Sequence, residues 1–318
     1  MNDAAADAGG WPGGIRLRCP RCGASVAGAD CRACGFAFAI RRGILRALSP
    51  EAEAHFAGFI GEYERIRAAE GRGGEDAAFY LGLPHAGGAA RDPRQWRIRA
   101  RSHACVLRRL LRGDAMRGAR ILDLGAGNCW MSHRLALAGH RPCAVDLVTN
   151  DFDGMGAARH YRSALPALFP RIQASFDRLP FEDAQFDAAI FNASFHYSED
   201  GEAALREALR CVRPGGMVIV SDTPWYPREE DGRRMLAERR AAFECRHGMA
   251  GNAIAMLGFL TDAWLQEMEH ALRIRWEIHR PWYGLAWALR PAVAALRGQR
   301  KPSRFRLYVA RRRAQDGG

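Results

Sequence analysis

From Arg120 onward, short runs of aliphatic and β-branched residues alternate with segments whose apolar positions recur every three or four residues. The runs ARILDL, PCAVD, RIQAS, FDAAIF and GMVIVSD have the length and composition of buried strands. Helical patterns fill the text between them, over Asn128 to Ala138 and Glu202 to Val212. Strand–helix alternation of this kind predicts an α/β fold, a parallel sheet with helices on both faces. Two later runs, LRIRWEIH and RFRLYVA, predict strands that close one edge of a mainly parallel seven-stranded sheet. Ahead of it, residues 50–116 read as helices broken by Gly-rich text such as GRGG at Gly71 to Gly74 and HAGGAARDP around Gly87, a helical connector or cap. The ends, 1–13 and 314–318, have the composition of disordered segments.

A chain of 318 residues has room for about two domains, each with its own core. Nearly half the residues are apolar and about a quarter charged, which excludes a disordered or collagen-like chain. The first residues, MNDAAADAGG, lack a basic n-region and apolar core, so no signal peptide and a cytoplasmic location are expected. The apolar stretch Trp282 to Leu296 is cut by Arg290 and Pro291 and is too short to span a bilayer, so no transmembrane segment is expected. The formal charge of +12 carries less weight than its size suggests, because Lys301 is the only lysine among the 47 basic residues. Such an arginine bias is what genome-wide codon composition produces. Two basic concentrations survive that discount: Arg91 to Arg112, and the C-terminal run from Arg297 to Arg313.

Four of the nine cysteines fall as Cys19-Pro-Arg-Cys22-Gly and Cys31-Arg-Ala-Cys34-Gly. Each pair forms a tight knuckle, with Gly23 and Gly35 supplying the turn conformation, and together they offer four thiolates to one Zn²⁺. A closed four-sulfur shell leaves no open position for substrate, so the metal is expected to be structural. A module over residues 14–49 has too little core to hold itself together, and the metal makes up the deficit. The wording CPRCG and CRACGFAFAIRRGI resembles the zinc ribbon at the front of certain bacterial methyltransferases and of their small activator proteins. The remaining cysteines, Cys105, Cys129, Cys143, Cys211 and Cys245, are scattered through apolar patterns as small buried side chains.

The stretch Ile121-Leu-Asp123-Leu-Gly125-Ala126-Gly127-Asn128-Cys129 ends the first strand in a Gly-rich turn that lets the backbone approach a ligand. An acidic residue beside that turn disfavours a pyrophosphate and favours a cationic ligand with an amino group, which suits S-adenosylmethionine. Asp146 closes the second strand about twenty residues on, where a carboxylate can accept both ribose hydroxyls.

These words resemble the class I methyltransferases, specifically the ubiquinone and menaquinone methyltransferase-like, type 11 subgroup. LDLGAGN resembles the first motif, AVD the second, LPFEDAQFDAAIFNASFHY the third and fourth, and EALRCVRPGGMVIVSD the helix-to-strand signature. Together they span about Arg120 to Asp222, a third of the chain. The resemblance implies a Rossmann-like domain over 117–313 with a lid insertion at about 223–270. It implies that Asp123 orients the cofactor amino group through the turn, that Gly125, Ala126 and Gly127 admit it, and that Asp146 with Leu147 holds the ribose. Asn192 and Ala193 would border the methionine end. Two departures stand out. Cys129 replaces the usual third glycine, and Ser175 replaces the usual acidic residue after the third strand, with Phe176 and Asp177 following as the adenine contacts.

Methyl transfer is an in-line displacement for which positioning matters most. If a base is used, His196 in NASFHY leads, with Tyr197 and Asp222 on the same edge and His160 with Tyr161 behind them. Trp96, Arg97, Arg99 and Arg101 precede the core on an expected helix, where a cation could meet the cofactor carboxylate. Trp225, Tyr226, Met235, Met249, Met256 and Trp264 supply apolar surface for the lid. Trp282, Tyr283, Leu285, Trp287 and Leu289 suit either packing on the sheet or an interfacial helix in peripheral contact with a membrane. The expected acceptor is a small or amphipathic molecule. Two alternatives stay open: methylation of ribosomal or transfer RNA, with the ribbon and basic segments docking the substrate, and a non-catalytic cofactor-binding partner protein.

Overall fold

The computed structural model describes residues 14–70, 76–85, 92–248 and 254–313. The expected disordered ends, the Gly-rich text at 71–74 and around Gly87, Arg91 and Met249 lie outside the described residues.

The N-terminal segment contributes two hairpins. β1 (Leu17–Arg18) pairs antiparallel with β2 (Ser25–Val26), and β3 (Ala39–Arg41) pairs antiparallel with β4 (Ile44–Arg46). Three helices follow: α1 (Pro50–Ala69), α2 (Ala77–Gly82) and α3 (Pro93–Cys105). Each starts where its sequence dictates. Ser49, Asp76 and Asp92 accept from backbone N–H groups three residues on, and Pro50 and Pro93 fill the first helical position.

The body then alternates as the hydrophobic pattern predicts: β5 (Arg120–Leu124), α4 (Trp130–Leu137), β6 (Arg141–Asp146), β7 (Arg171–Gln173), β8 (Phe186–Asn192), α5 (Gly201–Cys211) and β9 (Val212–Ser221). It continues through α6 (Glu229–His247), α7 (Asp262–Ala271), β10 (Trp276–His279), α8 (Leu285–Ala288), α9 (Arg290–Leu296) and β11 (Leu307–Arg311). The sheet order is β10-β11-β9-β8-β5-β6-β7-β4-β3. The five strands β9, β8, β5, β6 and β7 run parallel, and β11 and β10 close one edge antiparallel. With β5 first and the order reversing on either side of it, this is a doubly wound, Rossmann-like arrangement.

The expected seven strands are all present, but the sheet has nine. β4 pairs parallel with β7, placing Leu45 opposite Ile172, and β3 extends the edge. Residues 39–46, read from the sequence as part of the ribbon, therefore lie in the main sheet. The cysteine hairpins are also fastened to the body: Ile15, Leu17, Val26, Phe36 and Phe38 are buried in one apolar cluster with Leu122, Val145, Phe181 and Phe186. Gln185 accepts from the Arg16 N–H at 2.7 Å and returns a bond to its carbonyl at 2.7 Å.

Candidate active site

Alternation along β5 sets the site. Leu122 and Leu124 enter the cluster that includes the cysteine hairpins, whereas Ile121 packs in the cluster on the α4 side. Asp123 shares the face of Ile121 and points at α4, where its carboxylate accepts from Ser132 Oγ at 2.6 Å. It is 1 % exposed, its Oδ1 has no partner among the described residues, and burial pushes its pKa up to about 7. Asp123 does not line the large cavity. The expected influence on a ligand amino group is through the turn, and Asp123 is placed for such an indirect role, bonded to Ser132 of α4.

The turn itself opens onto the cavity. Gly125 (φ +74°) and Gly127 (φ +52°) adopt the left-handed conformation that glycine favours. Gly125 lies so close to Ser194 and Phe176 that a Cβ would overlap the Ser194 side chain and approach Phe176 Cζ to 3.1 Å. Cys129 also has positive φ (+63°), which explains why a glycine would suit this position, and its side chain is fully buried. Asp146, at the end of β6, accepts from the Gly127 N–H at 2.8 Å and from the Val148 N–H at 2.7 Å. Each oxygen keeps a lone pair for a ligand hydroxyl. Burial raises the Asp146 pKa to about 6 although these backbone bonds oppose it.

The carboxyl ends of β5, β6, β8 and β9 together floor a cavity of about 880 Å³. The cavity brings together every sequence-expected cofactor residue except Asp123: Gly125, Ala126, Gly127, Asp146, Leu147, Phe176, Asp177, Asn192 and Ala193 all line it. Phe176 is held edge-on against Phe191 at 5.3 Å, and Asp177 stands exposed at the rim. Asn192 is 8 % exposed and its Oδ1 has no hydrogen-bond partner among the described residues. A buried acceptor without a partner, on a residue that lines a cavity, calls for a donor or a positive charge. An S-adenosylmethionine molecule fits these residues: carboxylate for diol, aromatic edge for adenine, open acceptor for the cationic methionine end.

Helices α1 and α3 cover the cleft. Tyr63 and Arg67 of α1 line it, with the Tyr63 hydroxyl donating to Asp153 at 3.2 Å and Arg67 ion-paired to Asp153 at 3.0 Å. Trp96 of α3 is buried against Trp130, and Arg99 lies over the Trp96 ring. Beyond β9 the cavity continues past Pro224, Tyr226, Met235 and Phe305. Of the expected lid residues, Tyr226 and Met235 line this half. Trp225 and Trp264 instead belong to the core, where Trp225 Nε1 donates to Asp262 at 3.0 Å and Trp264 packs on Phe195. Met256 packs with Ile254 and Phe56.

His196 lines the cavity, and its Nδ1 is buried without a partner among the described residues. Burial and the charges of Arg239, Arg99 and Arg67 lower its pKa to about 3, so its imidazole is neutral at physiological pH and a weak proton acceptor. Compared with His196, Asp222 has the properties of a stronger proton acceptor. It follows β9, is 5 % exposed, lines the cavity, and presents Oδ2 with no partner among the described residues. Its Oδ1 accepts from Ser102 Oγ at 2.5 Å, and Ser102 is in turn 2.8 Å from the Tyr283 hydroxyl. Burial raises the Asp222 pKa to about 6, against the opposing Ser102 bond and the Arg99 charge. Tyr197 lines the same cavity. His160 and Tyr161 do not: His160 stacks on Tyr80, and buried Tyr161 donates to the Asn128 carbonyl at 3.1 Å. Ser102, Tyr63 and Arg67 carry no sequence signal, since their roles arise only when the preceding helices fold over the sheet.

Cys19, Cys22, Cys31 and Cys34 converge with all four sulfurs within 4.8 Å of one another. The Cys19–Cys34 and Cys22–Cys31 Sγ separations are 3.6 and 3.5 Å. Four sulfurs at the usual Zn–S length of about 2.3 Å stand about 3.8 Å apart, so the cluster suits a tetrahedral Zn²⁺. Gly23 (φ +78°) and Gly35 (φ +72°) turn the two knuckles.

Residues 122–220 match the sequence profile of a family described as "Methyltransferase domain". A demethylmenaquinone methyltransferase of Beutenbergia cavernae is 36% identical over 115 residues, 35% of this chain and 45% of that one. A malonyl-[acyl-carrier protein] O-methyltransferase of Erwinia pyrifoliae is 36% identical over 102 residues, 32% of this chain and 36% of that one. The chain thus spans less than half the length of these two relatives. Among solved structures, the [4+2]-cyclase SpnF has a TM-score of 0.48 at 20% identity, covering 68% of this chain and 81% of its own. A methyltransferase from Haloferax volcanii, solved with the Trm112 activator, has a TM-score of 0.47 at 18% identity, covering 70% and 92%.

Proposed function

We propose that this chain, whose residues 122–220 form a methyltransferase domain, transfers the S-methyl group of S-adenosylmethionine to an oxygen, nitrogen or carbon nucleophile of a small or amphipathic acceptor. The observation that carries the reading is the single cavity that runs from the Gly125–Gly127 turn and Asp146, past Asn192, to Asp222 and the apolar wall of Tyr226, Met235 and Phe305. About 880 Å³ is large for one ligand and suits a nucleoside with an acceptor beside it.

When bound, the cofactor supplies a methyl carbon already activated by a positive sulfur. The chain's own contribution is positional. Asp146 holds the ribose diol, Phe176 and Asp177 flank the adenine, and Asn192 Oδ1 faces the cationic end. In this reading the described helices of residues 50–116 are the cap that excludes water, and the cavity-lining part of 223–270 receives the acceptor. Holding the nucleophile in near-attack geometry contributes about 7–11 kcal/mol. Bound in this cavity, the cofactor would supply the methyl carbon and take the electrons of the broken carbon–sulfur bond, and the Asp222 carboxylate would take the proton that the acceptor gives up. Ser102 and Tyr283 fix the carboxylate for that step. His196, neutral, offers its imidazole to a donor group of the acceptor.

In the same reading the four cysteines hold a structural Zn²⁺. The deciding experiment is to incubate the purified protein with methyl-labelled cofactor and a small-molecule cell extract, then identify the labelled product by mass. Saturable transfer that Asp222→Asn lowers supports the reading. Absence of cofactor binding by calorimetry overturns it.

A further inference from the structure

The segment after β10 carries an apolar surface that none of the described residues covers. Hydrogen bonds from Leu289 N to the Leu285 carbonyl and from Val293 N to the Leu289 carbonyl join α8 and α9 into one nearly continuous helix. This helix is apolar on two opposite sides. Trp287, Pro291 and Ala294 recur on the inner side; Ala294 is buried, Pro291 is half-buried, and Trp287 stacks on Phe305 at 5.3 Å. Leu285, Leu289, Val293 and Leu296 recur on the outer side at 72, 58, 42 and 89 % exposure, and Trp282 just before them is 64 % exposed. Five of the eight large hydrophobic residues that stand exposed among the described residues lie in this short stretch, so the stripe is not the ordinary scatter of surface apolar side chains.

Charge narrows what can cover it. Between Glu277 and Asp316 the sequence has no acidic residue, whereas Arg280, Arg297, Lys301 and Arg304 flank the stripe and are exposed. An apolar stripe with a tryptophan at one end and, within its own segment, cations but no acidic residue matches the boundary between acyl chains and anionic headgroups, although Glu238 of α6 reaches Arg300 at 2.7 Å. A protein partner could match the leucines, and a nucleic acid could match the arginines; a negatively charged bilayer surface matches both. No described helix is long and apolar enough to cross a membrane, so the segment would lie on the surface rather than span it. The stripe also adjoins the cavity: Arg290, Arg300, Pro302, Ser303 and Phe305 line it.

We propose that the outer face of residues 282–301 seats the protein on an anionic lipid bilayer, with the mouth of the cavity turned toward the lipid. The seating stands on the surface alone. The further consequence, that an amphipathic acceptor enters the cavity from the bilayer, rests on the methyltransferase reading above.

The test is co-sedimentation of the full chain with vesicles of phosphatidylcholine alone and of phosphatidylcholine mixed with phosphatidylglycerol. Binding to the mixed vesicles that weakens with salt is expected. The double variant Leu285→Glu/Leu289→Glu should lower the partition coefficient by about tenfold or more, and Arg297→Glu/Lys301→Glu should remove the preference for the anionic vesicles. All four positions are exposed, so both variants should keep the near-UV circular dichroism and thermal midpoint of the parent. Vesicle binding indifferent to the leucine changes overturns the proposal. So does failure to bind vesicles, whether accompanied by a dimer in sedimentation velocity that Leu285→Glu/Leu289→Glu disperses or by retention on RNA. Calorimetry with S-adenosylmethionine on the same samples separates the two readings: loss of vesicle binding with cofactor affinity intact removes only the seating.

Discussion

Ser102 Oγ donates a 2.5 Å hydrogen bond to Asp222 Oδ1, joining the cap helix α3 to the end of β9 across 120 positions of sequence. The bond occupies Oδ1, while buried Oδ2 has no partner among the described residues, and Asp222 lines the cavity. Asp222→Asn should lower kcat by about 10²- to 10⁴-fold, the usual contribution of a positioned base, while leaving calorimetric affinity for S-adenosylmethionine near that of the parent. The acid limb of the pH–rate profile should fall near pH 6, since burial raises the Asp222 pKa to about 6 and only the carboxylate accepts a proton. Ser102→Ala removes a bond that lowers this pKa, so the limb should move to higher pH. Stability should run the other way. The folded carboxyl binds its proton more tightly than an unfolded one with pKa 3.8, so between that value and about 6 this group makes the fold less stable as pH rises. A limb unmoved in Ser102→Ala would remove Asp222 from the proton path.

Asp146 spans the turn after β5 and the loop after β6 through its bonds to Gly127 and Val148. In the proposed reading its ionised form is the one that accepts ribose hydroxyls. Asp146→Ala should weaken S-adenosylmethionine binding by about ten- to hundredfold, the value of charge-assisted hydrogen bonds at about 1.5–3 kcal/mol. In the parent, affinity should decline as pH falls through about 6, where the raised Asp146 pKa brings protonation within reach. Calorimetry across pH 5 to 8 reads both effects (about the range of ordinary protein stability).

The alternating pattern after Arg120 carried the parallel sheet, because strands buried on both faces must be apolar runs and the helices between them must be amphipathic. It also carried the tight turn after β5, since Gly125 and Gly127 are local in sequence and both adopt positive φ beside the cavity. Three features were hidden for physical reasons. β3 and β4 are three residues each, too short for a period, and gain strand character only by pairing with β7. Asp123 reads as a ligand contact until the pleat turns it beneath α4. The Ser102–Asp222–Tyr283 cluster is assembled from three distant segments, and nothing about an isolated serine in QWRIRARSHAC marks it. His196 shows the converse: the sequence expects it at the carboxyl edge of the sheet, where it lines the cavity, and the burial and then the arginine charges that make it a weak base are visible only in the fold.

Gly125 meets two constraints at once, a positive φ and contact with Ser194 and Phe176. Gly125→Ala should destabilise the protein by about 2–5 kcal/mol, the sum of left-handed strain and overpacking. Adding Ser194→Gly should recover the overpacking part and leave the strain. Urea unfolding of the single and double variants measures the split; equal stability of the two would mean that Ser194 yields freely.

Cys129 has the same backbone constraint with the opposite packing, a fully buried side chain in a left-handed conformation. Cys129→Gly relieves about 1–2 kcal/mol of strain and loses a small buried group of similar value, so its stability should stay within about 1 kcal/mol of the parent. Cys129→Val, β-branched at positive φ, should destabilise by about 2 kcal/mol or more.

The four-cysteine cluster should govern the stability of the whole chain. A ribbon hanging from a linker would melt on its own when its metal is removed, leaving the body unchanged. Here Leu17, Phe36 and Phe38 are buried in the same cluster as Val145, Phe181 and Phe186, and Glu182 pairs with Arg16 at 2.7 Å. Releasing the knuckles therefore exposes the face of the sheet beneath them. Elemental analysis should find about one zinc per chain, absent in Cys19→Ser/Cys31→Ser. That variant, and the parent treated with a strong chelator, should show a single cooperative transition at a lower midpoint rather than a new early transition followed by the original one. Differential scanning calorimetry distinguishes the outcomes. Two separate transitions, with the upper one unmoved, would mean that the ribbon contributes nothing to the core it covers.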